Sequence, residues 1–159
     1  MKFLFQILFI VFFANANGQE LQPIKGILAD GIRNNDDTQI SYVLKRCLSL
    51  NLVLGNWMEE KGGERMKKSV ANFFNQALFL QDFIVKLEND IEKAKNIKLS
   101  TKQEIEKTLL LNVKLISPLY VERFSRNYAA SGSYFEKDAQ FIEEIDICSD
   151  FQKYVDSLK

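Results

Sequence analysis

The chain has 159 residues, with 21 basic and 21 acidic side chains, two cysteines and no histidine. This charge balance provides no global field to draw nucleic acid or an anionic membrane. The missing histidine excludes Ser-His-Asp and Cys-His catalysis, histidine-ligated zinc and c-type haem attachment.

Residues 1–18 read as a Sec-type signal peptide. Lys2 supplies the positive start, the run from Phe3 to Phe13 is apolar except for Gln6, and Ala14-Asn15-Ala16 gives the small-x-small pattern that signal peptidase needs. Cleavage is expected after Ala16, with the bond after Gly18 as second choice. The apolar run falls short of the roughly 20 residues that span a bilayer, so no stable membrane insertion is expected once the signal is removed. In an exported chain, Cys47 and Cys148 favour a disulfide over a metal site or a reactive thiol pair.

Residues 19–37 form a polar leader with Pro23, Gly26, Gly31 and the run Asn34-Asn35-Asp36-Asp37. Ile24, Ile27, Leu28 and Ile32 offer it apolar anchors. The acidic run lacks the spacing and terminal Glu of a calcium loop. It reads instead as a solvated loop ending in a helix cap, with Asp36 and Gln39 placed for a capping box.

The remaining residues, 38–159, are expected to form one helical domain. A first helix over 37–61 carries Ile40, Val43, Leu44, Cys47, Leu48, Leu54, Trp57 and Met58 at three- and four-residue spacing, and Gly62-Gly63 stops it. A second helix over 64–95 presents Val70, Phe73, Ala77, Leu80, Ile84, Leu87 and Ile91. A third begins at Ser100, with Gln103 placed to complete its cap, and continues through Leu109, Val113, Ile116 and Tyr120 toward Tyr128. Pro118 is expected to kink that helix or split it. A fourth begins near Asp138 and carries Phe141, Ile145, Cys148 and Phe151. The pattern predicts an all-α fold: an antiparallel up-down-up-down four-helix bundle, its first and fourth helices joined by a Cys47–Cys148 disulfide at matching heights.

No P-loop or dinucleotide fingerprint is present, and no cofactor or metal is implied. The acids mostly alternate with lysines, as on a solvated helix face, so no catalytic residue is assigned. The most uneven stretch is 123–135. With the bundle topology, Arg123, Arg126, Tyr128 and Tyr134 share one pole with Trp57 and Arg65, a composition suited to recognition. The bland alternative is that Trp57, Phe124 and Tyr128 plug the end of the core while the arginines pair with Glu59, Glu60 or Glu64. The Lys-, Asn-, Ile- and Phe-heavy usage resembles that of exported proteins from AT-rich bacteria, and the chain has no Asn-x-Ser/Thr sequon. The expectation is a periplasmic or secreted, non-enzymatic module that contacts a protein or envelope component. A small-ligand or lipid carrier with a cavity inside the bundle is the alternative, and a carboxylate-based hydrolase the third reading.

Overall fold

The computed structural model describes residues 21–135 and 137–157, with side chains as far as Ser149 and at Phe151. The expected signal peptide, residues 1–18, therefore lies outside the described residues. Among the described residues, five α-helices follow in order: α1 (Ile24–Asn34), α2 (Asp37–Gly62), α3 (Lys67–Ala94), α4 (Lys102–Ser131) and α5 (Ala139–Ser157), with a 3-10 turn (Gly63–Met66) between α2 and α3. No strand occurs among the described residues.

The leader at 19–37 requires a correction, because most of it is α1. Ile24, Ile27 and Leu28 recur at helical spacing and pack on the core, with Ile24 fully buried. Gly26 and Gly31 made the stretch look like a loop. Gly31 serves close approach instead: a Cβ there would sit 3.2 Å from the Gln39 and Ile40 side chains of α2. Asn35 then adopts the left-handed geometry that ends α1, and Asp36 caps α2 by accepting from the Thr38 and Gln39 N–H groups. The capping residue is as expected.

Helix α2 is the centre of the domain and touches every other helix. Val43, Leu44, Cys47, Leu50 and Leu54 are buried along its length. It ends at Gly63, whose φ of 55° lies in the region glycine tolerates. Helix α3 contributes Ala77, Leu80 and Ile84 to the core, α4 contributes Leu109, Ile116, Tyr120 and Phe124, and α5 contributes Phe141, Cys148 and Phe151. The Cys47–Cys148 disulfide is formed, with a Cα–Cα distance of 5.1 Å, and ties α2 to α5.

Two local expectations shift. The cap of α4 is Thr101 with Glu104, one residue later than Ser100 with Gln103, and both halves of the capping box are present. Ser100 instead donates its N–H and hydroxyl to Glu92, at 2.6 and 2.7 Å, which fixes the turn out of α3. Pro118 does not split its helix; α4 runs unbroken through it. Ile116 and Tyr120 anchor both sides of the proline in the core. The Lys114 carbonyl that loses its partner sits on an exposed stretch where water can replace the bond.

Candidate functional site

Two clusters of chemistry-bearing side chains stand out, and they differ in access. The first is a sealed ionic staple. Arg46 falls between Val43 and Leu50 on the inner face of α2, and Glu144 falls between Phe141 and Cys148 on α5, so helical periodicity forces both charges inward. Their side chains are 0% and 1% exposed. The Arg46 guanidinium donates to the Glu144 carboxylate, to the Gln22 carbonyl ahead of α1 and, at 3.3 Å, to the Tyr120 hydroxyl. Tyr120 in turn donates to Glu144. One buried carboxylate thereby joins α2, α4 and α5, while Arg46 pins the start of α1.

Arg123 extends the staple toward the surface. It binds both Asp138 oxygens, at 2.6 and 2.5 Å, and lies 3.7 Å from the second Glu144 oxygen. Its guanidinium also stacks 5.2 Å from the Phe141 ring centre. Asp138 accepts from the Phe141 N–H at 3.0 Å and so caps α5. Asn127 donates to Asp138 and to the Tyr134 carbonyl, at 2.9 and 3.1 Å, closing the loop between α4 and α5.

The electrostatics follow this geometry. Burial pushes the Glu144 carboxyl up, and Arg46, Tyr120 and Arg123 offset this only in part, so the net direction is upward. Burial also pushes the Tyr120 hydroxyl up, reinforced by the Glu144 charge. For Arg46, burial opposes the charge, but Tyr120 and Glu144 outweigh it and the guanidinium is held more firmly protonated. At Asp138, partial burial acts upward and is overcome by hydrogen bonds from Arg123, Asn127 and the Phe141 N–H, which hold the carboxyl down at about 2.

The second cluster is aromatic and open. A chain of ring contacts runs from the buried Phe141 to Phe124 (5.0 Å between centroids), Phe135 (5.5 Å), Trp57 (5.7 Å), Tyr134 (4.9 Å) and Tyr128 (4.6 Å). Trp57 is near the end of α2, Tyr128 is near the end of α4, and Tyr134 and Phe135 are in the loop that follows. Tyr128 is 51% exposed. Trp57 and Tyr134 also line an open groove of about 940 Å³, together with Leu52, Val53, Val113, Val121 and Phe124. A second groove of about 440 Å³ shares Leu52 and Val113 with it and continues along Leu48, Phe74, Ala77 and Leu110.

Of the residues singled out from the sequence, Trp57, Tyr128 and Tyr134 are in one cluster. Arg123 is beside it but is committed to Asp138 and the staple, as the bland alternative had it for the arginines, though with a different acid. Arg126 is exposed and approaches Glu122 at 4.0 Å. Arg65 is exposed in the 3-10 turn. Phe135 completes the ring chain and was not singled out as a binding residue. Arg46 and Glu144 were also passed over, although charged residues at apolar-stripe positions were the available signal. Among the described residues, no group of three or more His, Cys, Asp or Glu side chains is placed to hold a metal ion, and no helix is long and apolar enough to cross a membrane. Compared with known proteins, the chain matches no family model, no curated protein and no solved structure.

Proposed function

We propose that this is an exported interaction module, periplasmic or secreted, that recognises a protein or envelope component through the Trp57–Tyr134–Tyr128 cluster. The observation that carries the reading is the ring chain itself. It is anchored in the core at Phe141 and ends on a half-exposed tyrosine, and its Trp57 and Tyr134 line a groove that also holds Leu52, Val113, Glu59 and Glu60. Rigid aromatic rings with a polar tip supply contact area at low entropic cost. The signal-like residues 1–18 and the disulfide support export. The contact between Trp57 and Tyr134 supports the up-down-up-down order, since it brings the ends of α2 and α4 together; a bend at Pro118 belongs to the same proposal. The reading is non-catalytic. The Glu144 carboxyl, which burial pushes up, is shut away from any substrate.

The test is substitution at the open end. Tyr128→Ala with Tyr134→Ala should weaken partner binding by about thirtyfold while the fold persists. Unchanged binding would refute the reading. The grooves favour a second reading, a carrier of an apolar ligand. Saturable uptake of an uncharged fluorescent apolar probe, blocked by Val113→Trp, would support it. No lysine or arginine lines either groove, so an anionic head group would find no counter-charge there.

A further inference from the structure

Helix α4 carries more exposed apolar surface than any other described helix. Leu110, Leu111, Leu115 and Val121 are each more than half exposed, with Leu115 at 73%. At 3.6 residues per turn, Lys107, Leu111, Leu115, Pro118 and Glu122 form one stripe, spaced by four, four, three and four positions. All five are exposed. Leu110 and Val121 flank the stripe on the side of the grooves. An apolar strip of this kind on an otherwise charged helix marks a contact surface.

The order of residues along the stripe identifies the occupant. Read forwards it is cation, apolar, apolar, apolar, anion; turned end for end, it presents an anion where the first had a cation. Two copies of α4 laid antiparallel with a two-fold axis between Lys114 and Leu115 place Lys107 opposite Glu122 of the second copy, and Leu111 opposite Pro118. The same pairing recurs on the other side of the axis, as a two-fold interface requires. That axis falls within two residues of the middle of α4, so the two helices overlap over residues 102–127, about 39 Å. Lys114, beside the axis, lays its stem over the apolar strip and keeps its ammonium at the rim. Glu122 is free to take part, since its pairing with Arg126 at 4.0 Å is a loose one between exposed side chains.

We infer that a second copy of this chain is the partner of this face, and that the protein is a two-fold dimer through antiparallel α4 helices. The inference is independent of the aromatic-cluster reading, since neither Tyr128 nor Tyr134 lies on the stripe. Sedimentation velocity and light scattering on the mature exported protein test it. The wild type should be a dimer, and Leu111→Glu with Leu115→Glu should be a monomer with unchanged helicity. Lys107→Glu alone, or Glu122→Lys alone, should raise the dimer dissociation constant about tenfold, because each change creates two like-charge contacts. The two changes together should restore it to within about threefold. Because both sites are on the surface, this pair reports even if the leucine variant fails to fold. A wild type that stays monomeric up to about 0.1 mM would overturn the inference. So would a dimer indifferent to the leucine and charge variants, or a monomer whose α4 stripe is covered by a different protein.

Discussion

The ionic staple and the aromatic cluster sit on the same helices and are built to opposite rules. At the staple, Arg46, Glu144 and Tyr120 bond to one another and are shut away from solvent, although the second Glu144 oxygen accepts no hydrogen bond. At the cluster, Trp57, Tyr134 and Tyr128 pass from half-buried to half-exposed, and the first two line a groove. Buried charge is a poor source of net stability but a strong selector of arrangement, because any alternative packing leaves a charge unpaired. Exposed rings anchored by deeper rings add little to arrangement and leave area free for a partner. On the reading proposed above, the first region serves folding and the second recognition.

The largest effect should come from unbalancing the staple. Glu144→Leu strands the Arg46 charge in the core and should cost about 3–5 kcal/mol in denaturant unfolding. Adding Arg46→Met should recover a substantial part of that loss, since the stranded charge is then gone. A double variant less stable than either single one would show that the network is worth more than its desolvation cost.

Next is the disulfide. Replacing Cys47 and Cys148 together should lower unfolding stability by about 2–4 kcal/mol, because the bridge closes a long loop in the unfolded chain. Native protein should show no free thiol by mass spectrometry; two alkylatable thiols would contradict the bridge.

Acid titration should separate the charges. The Asp138 carboxyl is held at about 2 against an ordinary 3.8, so its contribution is present above pH 3.8 and is lost as the pH falls toward 2. The loss should amount to about 2 kcal/mol. Glu144 has the opposite sign: its folded value is raised, so its contribution is present in acid and is lost as the pH rises through that value. Asp138→Asn should flatten the acid limb of the stability profile. An unaltered limb would place the acid-sensitive group elsewhere.

Much of this was legible from residue spacing. The inner stripes of α2, α3, α4 and α5 follow from three- and four-residue recurrence, and Cys47 and Cys148 fall on two of them. What was missed shares a cause. Helix α1 was concealed by Gly26 and Gly31, where the physical reason for the second glycine is contact with Gln39 and Ile40, which no local pattern displays. Arg46 and Glu144 carry charge at stripe positions, which already places them inside; only the position of the other member of the pair, 98 residues away, makes that tolerable. The meeting of Trp57 with Tyr134 was legible because it needed only the topology. The role of Arg123 was not, because it depends on Asp138 presenting both oxygens across the loop.

The smallest stability effect is expected at Tyr128, where alanine should change unfolding free energy by no more than about 0.5 kcal/mol. The most direct measurement of the central claim uses this same position. A photo-crosslinking side chain placed at Tyr128 is compared with one at Lys98, in the lysine-bearing turn between α3 and α4. A discrete adduct is expected from position 128, abolished by Tyr134→Ala, and none from position 98. No adduct at position 128, or equal labelling from both positions, would contradict the assignment of the aromatic cluster to recognition.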